Sequence, residues 1–298
     1  MKLFFLLFTT IFIGTSYATD FAITMDDPNL YETPLMTSVE RNNAILNDLK
    51  IAGVKATLFV CGKRIDSKEG RLLLNKWDAE GHTIGNHSYS HFYYNNPKLT
   101  FSEYSSDISK GELLINDFSH FKKIFRFPYL KSSETSSKRD SIRAFLKTNQ
   151  YSFGYVTIDA SDWYISDRLE KRLRGNPNAN IDGFKKYYLD HMWNRAQYYD
   201  RLAKKVIGRS PKHTILIHHN LLNALFLKDL IDHFLSKGWN LIDSNVAYQD
   251  SIFSVEPQTI PSGESIVWAM AKEKGIAGLR HPAEDGKYEK DQMDKLGL

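Results

Sequence analysis

The segment 21–27, FAITMDD, joins a short apolar run to two adjacent carboxylates, Asp26 and Asp27. Similar runs, rich in apolar and β-branched residues, recur along the chain between longer helix-compatible stretches; they occupy residues 56–60, 82–85, 124–127, 152–158, 214–217 and 239–242. Short apolar strands that alternate with helices are typical of a parallel sheet covered by helices. Seven such strands suit either a barrel or an open, doubly wound sheet.

Reactive side chains follow six of the seven predicted strands. They are Asp26, Asp27, His87, Arg126, Asp159, Asp162, His218 and Asp243. In a parallel barrel the carboxyl ends of all strands converge on one mouth, whereas a doubly wound sheet focuses ligands on a single crevice. The pattern therefore favours an α/β fold of barrel type.

Composition limits the functions open to the chain. Its 298 residues carry 39 Lys and Arg against 35 Asp and Glu, a net charge of +4, without a long basic run or a Gly-rich phosphate loop. This balance gives no support to nucleic-acid binding. The one cysteine, Cys61, excludes an intrachain disulfide framework and a zinc site built from several cysteines.

The amino terminus has the features of a secretory signal peptide. A basic start at Lys2 precedes an apolar stretch over 3–14, and small residues at Ser16 and Ala18 provide a cleavage site after Ala18. The alternative is an uncleaved anchor, although the stretch is short for a membrane span. We predict a signal peptide over 1–18, a catalytic domain over 19–252 and a carboxyl-terminal extension over 253–298 packed on the barrel. The mature protein should be periplasmic or secreted and have no membrane span.

The metal hypothesis starts from His87 and His91, which are four positions apart. On a helical turn the two imidazoles would face the same way and could bind one metal. Position 88 is Ser rather than the Glu of a zincin motif, so a general base must come from elsewhere. Asp26 and Asp27 could divide the work, one as ligand and one as base; alternatively they are a turn or capping pair. Two His and one carboxylate suit catalytic zinc, and also Co, Ni or Fe(II).

Five segments together resemble the motifs of the NodB-homology polysaccharide deacetylases, carbohydrate esterase family four. They are ITMDD at 23–27, GHTIGNHSYSH at 81–91, RFPY at 126–129, DASDW at 159–163 and LIH at 216–218. They occur in the family's order and span about residues 20 to 245. The resemblance implies an α/β fold of the distorted seven-stranded (β/α) barrel type, with a single catalytic domain. One departure concerns the first motif, which the family usually continues with Gly-Pro, whereas Pro28 and Asn29 follow here. That change affects the loop beside the metal and the shape offered to substrate.

The resemblance implies a metal-dependent reaction. Asp27, His87 and His91 would hold a divalent metal, most suitably Zn²⁺, with Co²⁺, Ni²⁺ or Mn²⁺ as alternatives. Asp26 would take a proton from the attacking water, and Arg126 would pair with Asp26 and aim it.

The resemblance also implies the residues that handle the substrate, an N-acetylated glycan of peptidoglycan or chitin type. The backbone N–H of Tyr129 would meet the oxyanion, and His218 would protonate the departing amine. Asp162 would stabilise the His218 imidazolium, while Trp163 and Leu216 would wall the acetyl pocket.

Two alternatives remain open. The chain could release another acyl group, for example from O-acetyl xylan or a small amide, or it could be an inactive carbohydrate-binding relative. A degenerate binder should have lost a ligand or the base, yet both are present. We expect His219 to point away from the site, because neighbours alternate along a strand. The long stretch between Asp162 and His218 could be a substrate-shaping excursion or a plain surface insertion, and we favour the surface insertion.

Overall fold

The computed structural model describes residues 18–283 and 287–298. The signal peptide predicted over 1–18 therefore lies almost entirely outside the described residues. The strands are β1 (Asp20–Asp26), β2 (Thr57–Val60), β3 (Thr83–Asn86), β4 (Phe121–Phe125), β5 (Lys131–Ser133), β6 (Ser152–Phe153), β7 (His213–His218), β8 (Asn240–Leu241) and β9 (Ser262–Gly263). The helices are α1 (Ser38–Ala52), α2 (Lys68–Ala79), α3 (Phe101–Leu113), α4 (Ser136–Thr148), α5 (Asp162–Gly175), α6 (Asp182–Ile207), α7 (Leu221–Ser236), α8 (Ser244–Ala247), α9 (Ile266–Glu273) and α10 (Lys287–Lys295).

The main sheet is parallel throughout and has the order β6-β4-β3-β2-β1-β7, with β8 pairing the start of β1. The sheet curls: the chain after β6 returns to β7 through a bridge between Ile158 and Ile215. This curled parallel sheet with helices outside confirms the predicted α/β barrel-type fold. All seven predicted strands contribute to the sheet, although β4 begins earlier than expected and β6 is much shorter.

The centre of the sheet is buried because its strands are apolar on both faces. From Phe21 to Asp26 every residue of β1 is buried, and the apolar side chains of β2 and β7 belong to the same hydrophobic core as those of α1 and α7. The helix ends follow local sequence signals. In α1, Thr37 and Glu40 form a capping box at the start and Gly53 adopts a left-handed conformation at the end.

The prediction that the stretch between Asp162 and His218 is a surface insertion is wrong. It forms α5 and α6, whose buried faces belong to the main core, including Leu169, Tyr188 and Met192. Apolar residues of α5 recur every four positions, at 165, 169 and 173, which is the spacing of a buried helical face. The stretch is part of the outer helical layer that walls the sheet.

The last part of the chain packs on this body. Strand β9 pairs antiparallel with β5, and α9 lies against α6. Ile266 and Val267 are buried in the main core. The domain boundaries given above remain predictions. Among the described helices none is both long enough and apolar enough to cross a membrane.

Candidate active site

The carboxyl ends of the central strands surround a cleft. Eight of the ten predicted site residues line it: Asp26, Asp27, His87, His91, Tyr129, Trp163, Leu216 and His218. The other two lie directly behind, where Arg126 contacts Asp26 and Asp162 contacts His218. Strand-end positions that are far apart in sequence therefore meet at one place.

Asp27, His87 and His91 bring ligand atoms within 4.8 Å of one another. Nδ1 of His87 is 2.8 Å from the carbonyl oxygen of Arg126. Because a carbonyl only accepts, Nδ1 carries the proton and Nε2 offers its lone pair. Burial lowers the pKa of His87 to about 4, which keeps the ring neutral. Oδ1 of Asp27 is buried and has no hydrogen-bond partner in the part of the chain that the structure describes. These donors fit a divalent cation.

The loop that holds His91 differs from the expected helical turn. His87 directly follows β3, and the next residues form an irregular loop in which Ser88 and His91 adopt φ values of 63° and 57°. The loop is fixed by the carboxylate of Asp107, which accepts hydrogen bonds from the backbone N–H groups of Tyr89 and Ser90 at 3.1 and 3.0 Å. The two imidazoles converge because left-handed residues reverse the chain, not because a helix aligns them.

Asp27 has an unusual backbone and a crowded carboxylate. Its φ is 62°, a left-handed conformation that few non-glycine residues adopt. Its Oδ2 lies 3.3 Å from both Nε2 of His91 and Nη2 of Arg64. Burial alone would raise the pKa of Asp27, but His91, His87 and Arg64 outweigh it and hold that pKa well below its ordinary value. The carboxylate is therefore ionised, as a metal ligand must be.

Asp26 is held by a buried arginine. Nη1 of Arg126 lies 2.5 Å from Oδ1 of Asp26, and both side chains are almost fully buried. The guanidinium also donates to the carbonyl of Gly154 and to the hydroxyls of Thr24 and Tyr248. Oδ2 of Asp26 is 3.6 Å from Nε2 of His87. One carboxylate oxygen is thus fixed by Arg126, while the other lies beside the metal ligands.

His218 is oriented by Asp162 across the end of β7. Oδ1 of Asp162 is 2.8 Å from Nδ1 of His218. Oδ2 accepts the His218 backbone N–H and the side-chain amides of Asn220 and Asn223. Asp26 and His218 are register partners on adjacent parallel strands. Their side chains therefore emerge next to each other on the same side of the sheet.

The predicted substrate residues form the rim of the cleft. Tyr129 has a φ of 57° within the short turn Pro128–Leu130, and its ring meets that of His91 at a centroid distance of 4.6 Å. Leu216 is buried on β7. The indole N–H of Trp163 is buried and has no hydrogen-bond partner within the described residues.

The ring of His219 points away from the cleft, as expected: its Nε2 is 3.1 Å from Oδ1 of Asn42 on α1, and the ring lies near that of Trp77 on α2. Other residues that line the cleft were missed by the sequence analysis. Arg64 follows β2 in a short turn, so the strand-end argument could have found it. Asp167 and Glu170 also line the cleft from α5, and burial raises the pKa of each.

Two strand-end residues lie away from the cleft. Asp243 accepts the backbone N–H of Lys55 at 2.7 Å, near the start of β2, because β8 pairs only with the beginning of β1. Asp159 instead accepts the backbone N–H of Ala283, and burial raises its pKa to about 6.

Comparison with known sequences shows which proteins the chain is similar to. The family model described as Polysaccharide deacetylase matches residues 16–144. A peptidoglycan-N-acetylglucosamine deacetylase from Bacillus cereus is 31% identical over 169 residues, which cover 55% of this chain and 54% of that protein. The chain thus spans about half the length of this curated relative.

Solved structures share the fold. The peptidoglycan deacetylase PdaC from Bacillus subtilis superposes with a TM-score of 0.53 at 24% identity, covering 78% of this chain and 91% of that one. A CE4 family pseudoenzyme from Bacillus anthracis gives a TM-score of 0.52 at 19% identity, covering 77% and 65%. These structures confirm the predicted fold, and the family model and the relative agree with the resemblance seen in the sequence.

Proposed function

We propose that the chain is a metal-dependent hydrolase that removes N-acetyl groups from an extracytoplasmic glycan, because the polysaccharide deacetylase family model matches residues 16–144. The substrate is of peptidoglycan or chitin type, since the curated relative is named for a peptidoglycan substrate. The observation that carries the proposal is the arrangement of Asp26 and His218 side by side next to three clustered metal-ligating side chains.

The ligands of the proposed metal are Asp27, His87 and His91. A divalent cation, most suitably Zn²⁺ with Co²⁺, Ni²⁺ or Mn²⁺ as alternatives, supplies Lewis acidity that acidifies water and polarises the acetyl carbonyl. The neutral His87 and the ionised Asp27 are already in the protonation states that binding requires.

Asp26 is the general base. It accepts a proton from water as the water oxygen adds to the acetamide carbonyl carbon. Arg126 holds Oδ1, so that Oδ2 remains the oxygen nearest to His87 and the ligand cluster. The backbone N–H of Tyr129 stabilises the negative charge that develops on the carbonyl oxygen.

His218 is the general acid. It donates a proton to the sugar nitrogen while the C–N bond breaks, which gives acetate and a free amine. Asp162 accepts a hydrogen bond from Nδ1 and stabilises the charged ring. Trp163 and Leu216 line the space beside these groups and wall the pocket for the acetyl methyl.

An acetate-release assay tests this function. The protein is incubated with N-acetylglucosamine oligomers, peptidoglycan and acetylated xylan, with added Zn²⁺ or Co²⁺ and with a chelator. We expect metal-dependent acetate release from the N-acetylated polymers and none from the matched Asp26→Asn variant. Release from xylan alone would identify an O-deacetylase, and glycan binding without release would identify an inactive carbohydrate-binding relative.

We also propose that the protein is exported and that its signal peptide is cleaved after Ala18. The support is the apolar stretch over 3–14 with small residues before the cleavage point. Amino-terminal sequencing of the extracytoplasmic protein should begin at Thr19, and a protein that still starts at Met1 would contradict cleavage.

A further inference from the structure

The loop after β1 contains a side chain that the proposed mechanism does not use. Nδ2 of Asn29 donates to the carbonyl of Asp27 at 3.0 Å and to the carbonyl of His219 at 3.2 Å. Asp27 directly follows β1 and His219 directly follows β7, and the pairing of these two strands ends at the preceding residues, Asp26 and His218. One amide group therefore joins the two strand exits.

Arg41 on α1 holds the other end of the Asn29 side chain. Its Nη2 donates to Oδ1 of Asn29 at 2.7 Å and to the Asn29 carbonyl at 2.8 Å, while Nη1 donates to the carbonyl of Tyr31 at 2.6 Å. The side chain of Arg41 is 1% exposed. No carboxylate among the described residues forms an ion pair with it, so this buried charge is balanced by oxygen dipoles of the loop.

We infer that Asn29 and Arg41 form a brace that positions the metal ligand Asp27 relative to the acid His218. The roles of Asp27 and His218 come from the proposed function, on which this inference rests. Asp27 is held in a left-handed conformation, which persists only where the surroundings fix it. Gly-Pro, which usually follows this motif in the family, has no side-chain amide. This chain therefore fixes the loop through Asn29.

The chemistry of asparagine explains why this residue type is suited to the position. Its amide group offers two N–H donors and a carbonyl acceptor. Both donors and the acceptor are used here, the donors on two carbonyls and the acceptor on Arg41. Asn29 and Arg41 are positioning residues, because their bonds reach the backbone of the site rather than its reacting atoms.

The test compares variants that leave the net charge of the protein unchanged. Asn29→Ala removes the amide, and Asn29→Leu removes it with little change in volume; an Asp variant is unsuitable because it adds charge beside the metal. Arg41→Lys keeps the positive charge but not the planar fork. Asn43→Ala and Asn43→Leu are matched controls, because Asn43 is exposed on α1, the helix that carries Arg41, and its side chain accepts a hydrogen bond from Lys76.

Two readouts are independent of catalysis. The dissociation constant for Zn²⁺ is measured by competition with a chelator, and hydrogen–deuterium exchange of segments 26–31 and 218–220 is measured in the metal-free protein. We expect the Asn29 and Arg41 variants to bind Zn²⁺ about 10- to 100-fold more weakly. Exchange should be faster in both segments, and kcat on chitin oligomers should fall more than KM rises. The Asn43 controls should match the wild type.

The two possible failures are distinguishable. Unchanged exchange and unchanged Zn²⁺ affinity in the Asn29 variants would overturn the brace while leaving the proposed function intact. A wild-type protein that binds no Zn²⁺ would contradict the proposed function, and faster exchange in the Asn29 variants would still support the brace.

Discussion

Oδ1 of Asp162 lies 2.8 Å from Nδ1 of His218, and this contact determines which ring nitrogen is available for chemistry. A carboxylate accepts, so Nδ1 carries a proton, and under the proposed function Nε2 is the nitrogen that exchanges one with substrate. Asp162 itself is fully buried and accepts three further hydrogen bonds through Oδ2. The pair therefore behaves as a rigid unit.

Replacing Asp162 by Asn should disable the acid while leaving the metal in place. The amide NH₂ group would face N–H groups that already donate hydrogen bonds and would repel them. The tautomer and the orientation of the His218 ring would then no longer be fixed. We expect kcat on N-acetylated oligomers to fall about 10²–10⁴-fold, the typical contribution of a positioned acid. An activated aryl acetate, whose leaving group needs no proton, should lose much less. Equal losses on both substrates would remove Asp162 and His218 from the leaving-group step.

Loss of any proposed ligand should lower metal content together with activity. Asp27→Ala, His87→Ala and His91→Ala each leave two donors, which are too few for a stable site of this type. Elemental analysis after dialysis against limiting Zn²⁺ should show reduced occupancy in all three variants. The exposed His120→Ala variant is the control and should keep full occupancy. Full occupancy in the ligand variants would place the metal elsewhere.

Breaking the buried pair of Arg126 and Asp26 should cost stability as well as activity. Arg126→Met leaves the Asp26 carboxylate buried without its cation, which typically costs about 3–5 kcal/mol of unfolding free energy. The double variant Asp26→Asn with Arg126→Met removes both charges and should recover part of that loss. Urea unfolding measures both values. A single variant as stable as the wild type would show that the pair contributes little to folding.

Burial of His82 should make the fold sensitive to acid. Burial lowers the pKa of His82 to about 4, from 6.5 in the unfolded chain. Between these pH values the unfolded state binds a proton that the folded state excludes, so stability falls as the pH drops from 6.5 to 4. The full effect is about 3 kcal/mol. Nδ1 of His82 accepts the backbone N–H of Ala56 at 3.0 Å, a bond that an Asn side chain could replace.

The measurement for His82 is the unfolding free energy of His82→Asn against pH. Between pH 4 and 6.5 the unfolding free energy of this variant should change less with pH than that of the wild type. The difference in slope should be about 1.4 kcal/mol per pH unit, which corresponds to one proton fewer taken up on unfolding. Other buried histidines will keep part of the slope. Asn43→Ala, an exposed variant that removes no titrating group, should keep the wild-type slope. An identical slope in His82→Asn would mean that His82 is protonated in the folded protein.

Strand-end positions predicted most of the site because the argument depends only on strand direction. Asp27, His87 and His218 each follow a buried strand of one parallel sheet, so they must meet at its carboxyl edge. The same argument failed for Asp243. Its strand has two residues and pairs with the beginning of β1, which a sequence pattern does not reveal.

Other features depend on contacts that no periodicity encodes. The position of His91 depends on two left-handed residues and on Asp107, which lies in α3. Strands β5 and β9 have three and two residues, too few to show alternation. In contrast, the apolar spacing of four residues in α5 was visible in the sequence, yet the stretch that contains this helix was expected to be a surface insertion.

The pairing of β5 with β9 has a consequence for the order in which the protein is completed during synthesis. The turn that carries Tyr129 leads directly into β5, and the backbone N–H of Glu264 donates to the carbonyl of Leu130. Lys131 and Glu264, which also form an ion pair, are 133 positions apart. At about 5–20 residues per second the ribosome takes about 7 to 27 s to cover that distance. The side of the cleft that carries Tyr129 is therefore finished only after the sheet strands have been made, and the proposed active site stays incomplete on the ribosome until the end of the chain is synthesised.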